Sequence, residues 1–253
     1  MTTTDTHTDV PRPEPELVSR EQWLTARREL LVREKEATRA RDELSAARRA
    51  LPMVELDSEY MFDGPAGPMG LVDLFDHHRQ LIVYHFMFDP DWDEGCPSCS
   101  YFADNFTGAL AHLPARDTSF AVISRAPLHK IEKFRTRMGW SFPWYSSHEG
   151  RFNHDFGVTI DTATGAVDYN YQPAADLLAT GKIWVENGEL PGLSVFLRDG
   201  TRIFQTYSTY QRGLDGLINT YNYLDLTPFG RGVDDRDPYS MAWVRHHNKY
   251  ATD

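Results

Sequence analysis

Cys96 and Cys99 constrain this chain more than any other feature. They are the only cysteines in 253 residues, and they sit in Gly95-Cys96-Pro97-Ser98-Cys99. The apolar run Leu81-Ile82-Val83-Tyr84-His85-Phe86-Met87-Phe88 lies just upstream. Downstream, Phe102, Ala103, Phe106, Ala109, Leu110 and Leu113 keep helical spacing. A buried strand, a short loop and a Cys-x-x-Cys opening a helix form the context of a redox-active dithiol. On a helix start this spacing brings both sulfurs to one face, with Cys96 as nucleophile and Cys99 as buried resolver. A four-cysteine zinc site would need a second pair, which the chain lacks.

Charge and composition narrow the partners. A net charge of −11 without a basic stripe argues against nucleic-acid binding. No stretch approaches the ~20 apolar residues of a membrane span. Met1 to Glu16 lacks the charged start and apolar middle of a secretory signal, so a cytoplasmic protein is expected. In a reducing compartment two thiols serve chemistry more readily than a structural disulfide.

Residues 1–18 read as a disordered lead-in. Ser19-Arg20-Glu21-Gln22 fits a capping box, and no Gly or Pro interrupts the segment from there to Ala50. A helix over 19–51 is expected. Its narrow apolar stripe (Trp23, Leu30, Ala37, Leu44, Leu51) suits either packing along its own domain or a homodimer through this helix. A domain over 52–226 follows. Gln80–Phe88 and Ser119–Ser124 read as buried strands, and Pro127–Met138 as a helix ended by Gly139. The alternation implies a parallel sheet with helices on its faces. Residues 146–190 read as an insertion with a short helix from Ala174. Leu193–Leu197, Asp199-Gly200 and Arg202–Tyr207 form a hairpin, and Leu214–Leu224 a last helix. Residues 227–253 form a tail whose Trp243 and Val244 suggest docking on the domain.

This order resembles the thioredoxin fold, in a peroxiredoxin/TlpA-type α/β layout with a long N-terminal helix, an insertion and a tail. Several blocks are closer still to the DUF899 family. They include Trp92-Asp93-Glu94-Gly95-Cys96-Pro97-Ser98-Cys99-Ser100, Ser124-Arg125-Ala126-Pro127-Leu128, Met138–Trp144, Pro191–Phe196 and Met241–His247. The resemblance covers residues 17–250 and implies a dithiol–disulfide oxidoreductase. Placed on the thioredoxin pattern, His85 falls where a buried carboxylate moves the resolving cysteine's proton. A histidine could take that part near neutral pH, or be a satisfied core residue. Pro191 falls where the fold carries a cis-proline facing the cysteines. Otherwise it is an ordinary trans proline before a strand.

The remaining candidates read two ways each. Trp92, Trp140, Trp144 and Tyr207 could line a substrate cleft or belong to the core. Asp89, Asp91, Asp93 and Glu94 crowd the approach to Cys96 and oppose a thiolate, unless they point away or hold a cation. His246 and His247, with His148 and His154, could join a metal beside the cysteines, but the expectation is no metal and no organic cofactor. The expected substrate is a small-molecule thiol or disulfide, or a specific protein partner. The alternatives are a thiol-dependent peroxidase and a non-catalytic metal-binding or redox-sensing module. Asp89 and Asp93 stand where a peroxiredoxin motif would place Pro and Thr, which weighs against its peroxidase pocket.

Overall fold

The strand before the cysteines organises the sheet because both of its faces are covered. The computed structural model describes residues 14–57, 59–164, 167–231, 241 and 243–250. Most of the expected lead-in, residues 1–13, lies outside them. The described chain runs α1 (Arg20–Arg49), β1 (Val54–Glu55), β2 (Met61–Gly64), β3 (Gly67–Gly70), β4 (Gln80–His85), α2 (Pro97–Ala103) and α3 (Thr107–Leu110). It continues with β5 (Thr118–Ser124), α4 (Leu128–Arg137), β6 (Trp144–Ser146), α5 (Phe152–Asp155), β7 (Thr159–Ile160), β8 (Asp168–Tyr169) and β9 (Gln172–Pro173). The last elements are α6 (Ala174–Ala179), β10 (Gly188–Glu189), β11 (Gly192–Asp199), β12 (Arg202–Tyr210) and α7 (Asn219–Leu224).

The main sheet has the order β1-β12-β11-β4-β5-β6-β2-β3. β4, β5 and β6 are parallel, as the helical crossovers demand. β11 runs antiparallel to β4 and pairs with β12 as a hairpin. A parallel β-α-β half joined to an antiparallel hairpin is a thioredoxin-like arrangement. Strand alternation then divides the core. Leu81 and Val83 of β4 and Ala121 and Ile123 of β5 pack with Phe62, Leu74, Phe75, Phe152, Phe156 and Phe196. Tyr84, Phe86 and Phe120 face the other way, toward Phe102, Phe106, Phe134 and Trp144 on the side of α2 and α4.

Two local expectations are revised. The helix after the cysteines breaks at Asp104–Phe106. There the Asn105 side chain donates to the Tyr101 carbonyl (2.7 Å), and Asp104 is drawn to Trp140 Nε1 (2.8 Å). Such local bonds compete with the helix ladder. The insertion is also more ordered than its sequence suggests. β7 pairs with β10, β8 with β9, and Val158, Ile160, Tyr169, Leu177, Ile183 and Leu190 form their own apolar cluster.

The chain divides into two units. One comprises residues 51–219 with 239–253 and holds the sheet. The other comprises residues 1–50 with 220–238. In the latter, α1 begins with both halves of the capping box: Gln22 N–H donates to Ser19 Oγ (3.2 Å), and Ser19 N–H donates to Gln22 Oε1 (3.0 Å). Arg231 grips Asp225 with two bonds of 2.7 Å and lies 4.0 Å over the Tyr221 ring.

Candidate active site around Cys96 and Cys99

The β4 strand continues as extended chain to Phe88, and a tight loop then returns to Cys96. Lys130 Nζ from α4 ties the loop down, donating to the carbonyls of Pro90 (2.7 Å) and Trp92 (3.0 Å). Cys96 N–H closes it on the Met87 carbonyl (3.0 Å). Gly95 is required where it stands. A Cβ there would come within 2.7 Å of Phe86 and 2.8 Å of Phe134, both rings of the packed core. Pro97 then opens α2, where its missing N–H costs nothing.

The two cysteines are free thiols 4.1 Å apart. Cys96 is partly exposed and Cys99 is buried. The Cys96 thiol is lowered to about 7. The chief cause is the Cys99 thiol, supported by the N–H groups of Cys99 and Ser98 and the Ser98 side chain, against the opposing effect of burial. Burial pushes Cys99 upward, and a charge on Cys96 pushes it further. One sulfur is thus suited to be a thiolate near neutral pH, while the other holds its proton.

Tyr84 meets this pair from below. Its ring packs on Phe102 (4.6 Å) and Phe106 (5.4 Å), and its hydroxyl interacts electrostatically with the Cys99 thiol. Met87 N–H also approaches Cys99 Sγ (3.5 Å). His85, one residue on, points to the opposite face. It stacks against Phe156 (5.7 Å), and its Nε2 meets Ser194 Oγ (2.9 Å). Burial alone lowers it to about 3, so the ring is neutral at any physiological pH. The proton role expected of His85 is therefore corrected: the sheet lies between its ring and the Tyr84–Cys99 contact. No peptide bond among the described residues is cis, so the bond before Pro191 is trans and the cis-proline expectation is corrected as well. The approach to Pro191 is held extended by Leu190 N–H on the Val158 carbonyl (2.8 Å). Tyr169 Oη donates to the Pro191 carbonyl (2.8 Å).

Of the four carboxylates before Cys96, Glu94 is neutralised from within the chain. Glu94 pairs with Arg137 of α4 and with Lys249 (2.6 Å), which together hold its carboxyl down at about 2. Asp89 Oδ1 accepts the Asp91 N–H (2.9 Å). Lys249 arrives on a C-terminal segment lying over the loop. Val244 and His246 of that segment are buried, and the Trp243 ring meets Tyr101 edge-on at 5.5 Å. His246 Nε2 lies 2.8 Å from the Gly95 carbonyl, and its Nδ1 lies 3.4 Å from an Arg137 donor. Nδ1 also lies 3.3 Å from Glu94 Oε2; burial outweighs that carboxylate and lowers the ring's pKa, and Nε2 donates to the Gly95 carbonyl.

The sequence profile described as "Bacterial protein of unknown function (DUF899)" matches residues 12–250. The chain belongs to the DUF899 family. No curated protein matches it significantly. Among solved structures, a cysteine-to-serine mutant of PrxQ from Xylella fastidiosa is 13% identical with a TM-score of 0.41, covering 66% of this chain and 89% of that one. Peroxidoxin BcpB from Mycobacterium tuberculosis is 14% identical with a TM-score of 0.42, over 66% and 94%. A putative thiol:disulfide interchange protein DsbE from Chlorobium tepidum is 12% identical with a TM-score of 0.41, over 67% and 97%. These likenesses are distant.

The four aromatics expected to form one cleft do not meet in one. Trp144 is a core residue, 1% exposed, with Nε1 donating to Ser124 Oγ (3.0 Å). Tyr207 sits on β12 in a groove of about 550 Å³ with Leu51, Val54 and Tyr171. Trp92 and Trp140 lie nearer the cysteines: Trp92 is in the loop itself, and Trp140 bonds Asp104 just after α2. Asp104 also meets His247 Nδ1 (2.7 Å), so both tail histidines have partners within the protein. Among the described residues no three His, Cys, Asp or Glu side chains converge as a metal site would require.

Spacing did not disclose Tyr84, Tyr169, Arg137 or Lys249, nor a buried cluster at Glu189. Glu189 is 1% exposed and pairs with Arg125 (3.0 Å), Thr159 Oγ1 (2.9 Å) and Asn153 Nδ2 (3.2 Å). Burial raises it to about 6 despite the guanidinium. For Tyr84 a signal did exist. It is the polar-tipped aromatic of β4, and its parity matches Phe86 rather than Val83.

Proposed function

We propose that this protein is a thiol–disulfide oxidoreductase that cycles Cys96 and Cys99 between dithiol and disulfide. One observation carries the reading: a partly exposed thiol lowered to about 7 stands 4.1 Å from a buried thiol that keeps its proton. The Cys96 thiolate attacks one sulfur of a substrate disulfide R–S–S–R′. The S–S electron pair leaves on R′S⁻, which takes a proton from solvent. Cys99 then attacks the Cys96 sulfur of the mixed disulfide. Its proton ends on the departing RS⁻, giving Cys96–Cys99 disulfide, RSH and R′SH. The bond closes at ~2.05 Å, so the sulfurs approach by a small local movement. The reverse sequence oxidises a dithiol substrate.

The substrate class is a small disulfide or one specific partner, because His246 and its neighbours cover the loop that a general protein substrate would engage. A reducing, cytoplasmic setting accords with two free thiols. Mass spectrometry of the reduced protein after one equivalent of a small aromatic disulfide tests the reading. It predicts loss of two hydrogens, a stalled adduct in Cys99→Ser and no reaction in Cys96→Ser. Two persisting thiols would refute it. Turnover with hydrogen peroxide but not with disulfides would favour the peroxidase alternative, and efficient reduction of insulin would contradict the narrow substrate class.

A further inference from the structure

The dithiol reading leaves one demand unmet. Cys99 must carry negative charge as it attacks the mixed disulfide, yet it is buried among aromatics, where an unsolvated charge is costly. We propose that Tyr84 is a catalytic residue of this resolving step, its hydroxyl and the Met87 N–H forming a two-donor cradle that stabilises the developing Cys99 thiolate. The inference rests on the thiol–disulfide reading of Cys96 and Cys99.

The placement is specific. β4 is covered on both faces, and its alternation turns Tyr84 toward α2, which carries Cys99. The ring is clamped edge-on by Phe86, Phe102 and Phe106 at 6.1, 4.6 and 5.4 Å, so the hydroxyl cannot swing away. The phenol is 1% exposed, and Cys99 is the side chain its hydroxyl interacts with most. Met87 N–H supplies a second donor at 3.5 Å. The neighbouring buried phenol, Tyr169, is already committed to the Pro191 carbonyl at 2.8 Å.

Tyr84 acts as a donor and not as a base. Burial, and then the nearness of Cys99, push its phenol well above the ordinary value, so it stays protonated throughout. In the resting dithiol it meets a neutral thiol. As Cys99 Sγ gives up its proton and its lone pair attacks Cys96, the same contact becomes a charge-assisted hydrogen bond and strengthens. No atom is transferred to or from Tyr84. The Cys99 proton leaves with the departing RS⁻. Cys96 is held down chiefly by the Cys99 thiol and then by the N–H groups of Cys99 and Ser98, and Tyr84 is not among its donors, so Tyr84 bears directly on Cys99 alone. The two steps of one turnover are therefore separable.

Stopped-flow absorbance with one equivalent of 5,5′-dithiobis(2-nitrobenzoate) separates them. A first release of thionitrobenzoate reports Cys96 attack and a second reports resolution by Cys99. Tyr84→Phe keeps the ring contacts. It should leave the first phase within about twofold, slow the second by about tenfold to a hundredfold and move its pH profile upward. Incorporation of 3-fluorotyrosine, a more acidic phenol of nearly the same shape, should move that profile downward. It gives an independent reading if Tyr84→Phe folds poorly by near-ultraviolet circular dichroism. A second phase unchanged in rate and pH profile in either folded variant overturns the proposal. So does equal slowing of both phases, the mark of a structural role alone. Wild-type protein that shows a first phase but never a second refutes the dithiol reading itself, and the Tyr84 proposal with it.

Discussion

Burial sets the charge state of His85, and that makes the residue a stability element sensitive to acid. Its folded value of about 3 lies below the ordinary 6.5, so between those limits the unfolded chain binds more protons than the folded one. Stability is then fully present above pH 6.5 and falls as pH drops toward 3. Lowering pH from 7.5 to 4.5 should cost about 3 kcal/mol through this residue alone. His85→Gln can retain a bond to Ser194 and does not titrate. Urea melts at the two pH values should show a clearly smaller loss for the variant than for wild type. Equal losses would mean that His85 is protonated without penalty. The neighbouring Tyr84 shows the same parity rule from the other side: one residue of register separates a core histidine from a group touching the dithiol.

At the scale of elements, the docked tail and α4 change the electrostatics of the loop before Cys96. Glu94 would oppose a thiolate two residues away, but Arg137 and Lys249 offset it, and the His246 ring donates to the adjacent Gly95 carbonyl. The depressed Glu94 value means that its contribution is present above its unfolded value of 4.5 and is lost as pH falls toward about 2. Lys249→Ala combined with His246→Ala should loosen the segment. Modification of Cys96 by a bulky maleimide should then accelerate about tenfold, the effect of losing one or two hydrogen bonds. Small iodoacetamide should gain less. Identical maleimide rates for variant and wild type would show that the segment does not limit access.

At the scale of the whole molecule, α1 carries an apolar stripe that bears on self-association. Its 30 residues span ~45 Å, none is buried, and Trp23, Leu30, Leu31 and Leu44 are all at least 40% exposed. The homodimer expected from the sequence would use this stripe. Sedimentation should show a dimer, and Trp23→Glu with Leu30→Lys should raise its dissociation constant at least ~100-fold, the order expected for losing two buried apolar anchors. A wild-type monomer at high concentration would end the homodimer expectation. The absence, among described residues, of a helix long and apolar enough to cross a membrane is a separate fact about these helices.

Local rules sufficed wherever cause and effect lie within a few residues. The capping box at Ser19, the parallel β4–β5 pair, the β11–β12 hairpin and the Cys-Pro-Ser-Cys at the start of α2 all follow from spacing. The greater exposure of Cys96 than of Cys99 also agrees with their order at the helix start. What the tertiary structure alone decided depends on partners far apart in the chain. Lys249 reaches Glu94 across 155 positions, and Ser194 holds His85 across 109. The insertion delivers Tyr169 to the Pro191 carbonyl, and β10 brings Glu189 to Arg125. Periodicity states that a residue is inward. It cannot say which face of a doubly covered strand meets the helix bearing the second cysteine, because that choice is made by the packing of all the layers together. The dithiol was therefore written in the sequence, while the groups that set its charge and cover it were chosen by the fold.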